Sequence, residues 1–111
     1  MDDFLKSVSK NLPEIQQEFD KYQKEFFTER TPQFFCLELN GEAGELANLE
    51  KKKWKGRVID DDALADEAAD VFIALMNYCN SRNIDLGIAV ADKLEWIDNK
   101  MRELKEQGHD Y

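Results

Sequence analysis

Val90, Leu94, Ile97, Met101 and Leu104 recur at intervals of four, three, four and three residues, the period of an α-helix with one apolar face. Ile15, Phe19, Tyr22 and Phe26 repeat that period near the start of the chain. Strand signals are absent, so the spacing constrains the chain to helices. Only two prolines occur, Pro13 and Pro32, and each is placed for the first turn of a helix, with Asn11 and Thr31 nearby as caps. The reading predicts helices from about Pro13 to Phe27, from Pro32 to Gly56, from Asp61 or Asp62 to about Asn80, and from an Asp85 cap through Leu104. Phe19, Tyr22, Phe26 and Phe27 are expected in the core. Val71 to Met76, apolar on nearly every side, is expected to make the third helix the central one. The tail "EQGHDY" should fray. With no internal repeat, linker or low-complexity stretch, the fold expected is all-α: one four-helix bundle-like domain over residues 1–111, with short loops.

At 111 residues the chain can bury one modest core, and a partner subunit would help. Its 42% hydrophobic and 35% charged content fits a folded protein. The net charge of -9, from 24 acidic and 15 basic residues, repels nucleic-acid backbones and anionic membranes and attracts cations. Neither a nucleic acid nor a membrane is therefore expected as partner. "MDDFLKSVSK" has no basic or apolar leader character, and the longest apolar run is too short to span a bilayer, so a soluble, cytoplasmic protein is expected. Cys36 and Cys79 lack any metal or redox spacing and are read as reduced, packed thiols.

The chemistry lies in the carboxylates. Glu42 and Glu45 stand three residues apart on the second helix, and Glu67 and Asp70 repeat that spacing on the third. Packed antiparallel, the two helices could bring four carboxylates around one cavity. Two carboxylates about 5.5 Å apart repel by roughly 3 kcal/mol at an effective dielectric near 20, so either some protonate or a cation neutralises them. Oxygen-only ligation, with no His or Cys nearby, favours Mg²⁺ or Mn²⁺ over Zn²⁺. The ordinary alternative is a solvated acidic face. Against it stand the small residues Ala43, Gly44 and Ala47 on one helix and Ala65, Ala68 and Ala69 on the other, which allow close backbone approach.

The order E-x-x-E, "EAGE" at Glu42 to Glu45, then 21 residues, then E-x-x-D, "EAAD" at Glu67 to Asp70, resembles the MazG-like all-α nucleoside triphosphate pyrophosphohydrolases. "LNGEAGELANL", "LADEAADVFIAL" and "IDLGIAVADK" are similar to that family's corresponding segments, and the likeness covers roughly Phe34 to Lys100. The resemblance implies Mg²⁺-dependent hydrolysis of a (deoxy)nucleoside triphosphate between the α- and β-phosphates, giving the monophosphate and pyrophosphate, in a house-cleaning role. It implies that Glu42, Glu45, Glu67 and Asp70 hold the metal, with Mn²⁺ a possible substitute, and that Glu45 and Glu42 are catalytic, with Glu45 as general base. It also implies a homodimer or homotetramer with sites near subunit interfaces, which the apolar stripe of the fourth helix and Trp96 would suit.

Lys93 matches the family's helix-four lysine and is expected to contact phosphate; a surface lysine is the plain alternative. In "KKKWKGR", Lys51, Lys52, Lys53, Lys55 and Arg57 complement a helix C-terminus closed by Gly56. They also offer a patch for the triphosphate, with Lys55 and Arg57 as contacts and Trp54 as a stacking surface. The chain departs from the family at Gly41, where many members carry a further glutamate. It departs from the dCTP pyrophosphatase branch at Ala74 and Ile97, so that branch's base recognition does not transfer. Glu38 is an extra acid without a family role. The rival readings are a relative cleaving another pyrophosphate bond, as in phosphoribosyl-ATP, and a non-catalytic helical module whose acidic face binds a basic protein.

Overall fold

Short polar side chains start three of the four helices by accepting otherwise unpaired backbone N–H groups. Thr31 Oγ1 accepts from Phe34 N at 3.3 Å, Asp60 Oδ1 from Asp62 N at 3.0 Å, and Asp85 Oδ1 from Ile88 N at 3.0 Å. The computed structural model describes residues 1–111 as α1 (Asp2–Phe26), α2 (Pro32–Trp54), α3 (Asp61–Ser81) and α4 (Leu86–Glu106), with no strand. Pro32 takes the first turn of α2, and Gly56, at φ 92°, turns the chain out of it. Asn83, at φ 55°, makes the corresponding turn between α3 and α4. The all-α class and the four helices are as the spacing predicts.

The first helix differs from expectation. Pro13 does not start it: α1 begins at Asp2 and runs through Pro13. A proline inside a helix costs about 3 kcal/mol in an isolated segment, and here tertiary packing offsets that cost. The Pro13 ring lies against Gly87 at the start of α4, so close that a Cβ on Gly87 would stand 2.7 Å from Pro13 Cδ and 3.0 Å from the Val8 carbonyl oxygen. The inward face of α1 also differs. Ile15, Tyr22, Phe26 and Phe27 are exposed, Phe26 to 64%, while Leu5, Val8, Leu12 and the buried Gln16 turn inward. Of the aromatics expected in the core only Phe19 is half-buried; the outer three form their own cluster, with Tyr22 centred 5.3 Å from Phe26 and 5.7 Å from Phe27.

Gln16 takes the inward place because the α3–α4 turn offers it four bonds. Its Nε2 donates to Ile84 O at 2.9 Å and Asn80 Oδ1 at 3.2 Å, its Oε1 accepts from Leu86 N at 2.8 Å, and its backbone carbonyl accepts from Asn80 Nδ2 at 3.1 Å. A buried amide so satisfied carries little desolvation penalty and fixes α1 to the entry of α4.

The helices pack as two pairs, α2 with α3 and α1 with α4, bridged by a smaller α1–α3 contact. They do not close around one core. The radius of gyration is 17.3 Å, against about 13 Å for a compact chain of this length, and only eight of 111 residues are buried. α3 is central in touching both pairs, but Phe72 and Ile73 on it remain exposed. Cys79 is buried and its thiol pKa is raised by that burial, whereas Cys36 is exposed rather than packed; both are free thiols. No helix is long and apolar enough to cross a membrane.

Candidate functional site

α2 and α3 lie antiparallel, so residues before and after the α2–α3 link oppose one another in register. At one end Phe35 and Asn77 border a common cavity; midway Glu42 faces Glu67 and Asp70; at the other end Lys53 pairs with Asp61 at 3.3 Å. The six-residue link, positions 55–60, makes this arrangement a direct consequence of the chain order.

Ligand oxygens of Glu42, Glu67 and Asp70 lie within 4.8 Å of one another, and all three residues are half-buried. One oxygen on each glutamate, Glu42 Oε2 and Glu67 Oε2, is sealed from solvent with no hydrogen-bond partner. None of the chain's ion pairs reaches these carboxylates. Desolvation, then the nearby Glu45, then Glu42 and Asp70 push the Glu67 carboxyl up to about 7. Glu42 is raised as well, first by desolvation and then by repulsion from Glu45 and Asp70. Glu45 is exposed at the edge of the group and outside the three-oxygen cluster, though near enough to act on both glutamates.

The donor set fits a hard divalent cation. Carboxylate oxygens are the ligands that Mg²⁺ and Mn²⁺ prefer, and the two sealed oxygens lack the donor that a buried acceptor normally has.

The basic run occupies the far end of α2. Trp54 is 86% exposed, and Lys55 and Arg57 are exposed beyond it. Trp54 stands nine residues past Glu45, about 13 Å along the helix. Lys93 is exposed on α4, with its Nζ 4.4 Å from the Trp96 ring centroid; α4 packs mainly on α1. Within one chain, then, the structure brings Glu42, Glu67 and Asp70 together with Glu45 beside them, and leaves Lys93, Trp54, Lys55 and Arg57 apart from them.

One feature escapes a reading of periodicity. A cavity of about 450 Å³ opens where the α1–α2 link passes the end of α3, and Asn77 lines it at 7% exposure. An amide directly after the apolar run ending at Met76 is the only sign of it in the sequence.

The family model for the MazG nucleotide pyrophosphohydrolase domain matches residues 30–109, which take in α2, α3 and α4 with both acidic motifs. No curated protein and no solved structure matches the chain. A match over most of the chain, together with the all-helical fold, makes this chain a member of the MazG nucleotide pyrophosphohydrolase family.

Proposed function

We propose that the protein is a Mg²⁺-dependent nucleoside triphosphate pyrophosphohydrolase that cleaves (d)NTP between the α- and β-phosphates, clearing unwanted nucleotides. The observation that carries this reading is the cluster of Glu42, Glu67 and Asp70 oxygens, with two sealed oxygens lacking a donor. Glu42, Glu45, Glu67 and Asp70 would hold the metal, with Mn²⁺ as a substitute. Bound divalent cations would neutralise phosphate oxygens and make water a better nucleophile.

Glu45, exposed at the edge of the group, would accept the proton of the attacking water. As the water oxygen bonds to phosphorus, the bridging P–O bond breaks, and pyrophosphate leaves with the bond's electron pair. A chain at -9 cannot attract a tetra-anionic substrate unaided, so binding depends on the cation. Lys55 and Arg57 lie at the end of α2 toward which the pyrophosphate portion would extend, with Trp54 between them and the acids. The open packing and the exposed Phe72, Ile73, Ile88 and Trp96 suit a homodimer or homotetramer. Lys93 fits a phosphate contact when a second copy brings its α4 over the α2–α3 seam.

The test is incubation with each common dNTP and NTP in Mg²⁺ and in EDTA, with products separated by ion exchange. Monophosphate plus pyrophosphate, only with Mg²⁺, is expected. Diphosphate plus orthophosphate would place the attack at the wrong phosphate, and no turnover would refute the reading.

A further inference from the structure

We infer that the cavity at the α1–α2 link is the nucleobase subsite, and that Asn77 is its specificity-determining residue; this rests on the pyrophosphohydrolase reading and says where the rest of the substrate lies. Asn77 stands seven residues beyond Asp70, and Phe35 seven residues before Glu42, so both lie on the same faces of α3 and α2 as the carboxylates. Seven residues span about 10 Å of helix, a separation that a nucleotide bridges between its reacting phosphate and its base. Antiparallel packing therefore puts the cavity and the acids on one continuous seam.

The lining chemistry suits an uncharged, flat, hydrogen-bonding group. Acid and base balance there: Asp20 pairs with Lys24 at 2.8 Å, and Glu29 and Arg30 offset each other in sign. That neutrality contrasts with the acidic cluster and suits an uncharged group better than a cation or a phosphate. Phe35, 5% exposed, and Phe27 at the rim supply ring surfaces of the kind on which bases stack.

Asn77 supplies the readout. None of the chain's side-chain hydrogen bonds uses its amide, although the residue is more than nine-tenths buried. The amide is not sealed either, and so opens onto the cavity it lines. Of the other polar groups in the lining, Asn80 exchanges two bonds with Gln16 and Ser81 Oγ donates to Tyr78 O at 2.7 Å, whereas Gln23, Thr28 and Asn83, also unengaged, are less buried than Asn77. An unengaged amide presents a donor and an acceptor side by side, the complement of a base edge. Trp54, by contrast, stands at the opposite end of α2 at 86% exposure, in an open hollow walled by α2 residues alone.

The test uses the full chain, with monophosphate release measured in Mg²⁺ across the (d)NTP panel for wild type, Asn77→Ala, Phe27→Ala and Trp54→Ala. Asn77→Ala should raise KM for the preferred nucleotide about tenfold and compress the ranking among bases, with kcat much less affected. Phe27→Ala, at an exposed position that keeps the test valid if the Asn77 variant does not fold, should raise KM several-fold for every base. Trp54→Ala should leave the ranking intact. The subsite is overturned if an active enzyme keeps its KM and ranking in both cavity variants, or if Trp54→Ala scrambles the ranking instead. A wild type that releases no monophosphate from any nucleotide overturns the function itself, a distinct outcome from the first two.

Discussion

The α2–α3 pair and the α1–α4 pair are built from helices of similar length but place polarity oppositely. In the α1–α4 pair the buried polar group is Gln16, every one of whose side-chain bonding atoms is matched, and the helices close onto a glycine–proline contact. In the α2–α3 pair the sealed polar atoms are carboxylate oxygens with no partner. A satisfied amide holds a fold together, whereas unsatisfied like charges oppose it until a cation arrives. One pair is a scaffold; the other carries the candidate site at the expense of its own stability.

The largest expected effect breaks the site half alone. Glu67→Gln should lower turnover at least about 100-fold while the metal-free protein melts at the same or a higher temperature, because the change removes a charge from a crowded cluster. A lower melting temperature in EDTA would show that Glu67 is structural.

The scaffold half should respond in the reverse way. In Gly87→Ala the new Cβ meets the rigid Pro13 ring at 2.7 Å, and overpacking of this kind costs about 1–3 kcal/mol. Urea unfolding should register that loss while Mg²⁺ still stabilises the variant. If Mg²⁺ stabilisation disappears too, the two pairs are not separable.

Proton linkage sharpens the contrast. The Glu67 carboxyl is raised from its ordinary value of 4.5 to about 7 in the folded chain. Its protonation therefore contributes stability that is fully present below about pH 4.5 and is lost as pH rises through 7. Metal-free wild type should lose thermal stability across that window relative to Glu67→Gln. Saturating Mg²⁺, which selects the ionised form, should remove the difference. Parallel profiles with and without metal would contradict the site.

The smallest effect is expected at the outer end of the α2–α3 pair. Lys53→Ala breaks an exposed ion pair with Asp61, which is worth about 1 kcal/mol or less. The melting temperature should barely move and should approach wild type further at high salt. A large loss would mean that the end of α2, not only its middle, holds the pair together.

Much of this was legible in the residues. The caps Thr31 and Asp85 and the turn residue Gly56 act locally, through bonds and dihedrals within a few positions, as does Asp60 just before the expected start of α3, so the bounds of α2, α3 and α4 can be read from short segments. Glu42, Glu67 and Asp70 were also legible as a group, because i, i+3 spacing and a short link leave an antiparallel pair little choice of register. α1 was misread at both its start and its face. Its apolar stripe of Ile15, Tyr22 and Phe26 suggests the core, yet those side chains are exposed. Pro13 suggests a helix start, yet it packs mid-helix on Gly87, a residue 74 positions away in the chain.

The sequence by itself determined the all-helical class, three sets of helix bounds and the acidic group, since each depends on interactions among near neighbours or on a single hairpin. Only the tertiary structure decided which face of α1 turns inward, that the helices form two splayed pairs, and that Asn77 opens onto a cavity in line with the carboxylates. Those outcomes depend on contacts between distant segments, where Gln16 finds four hydrogen bonds at the α3–α4 turn and outweighs the apolar stripe beside it. Periodicity ranks faces by hydrophobicity; packing ranks them by what stands opposite.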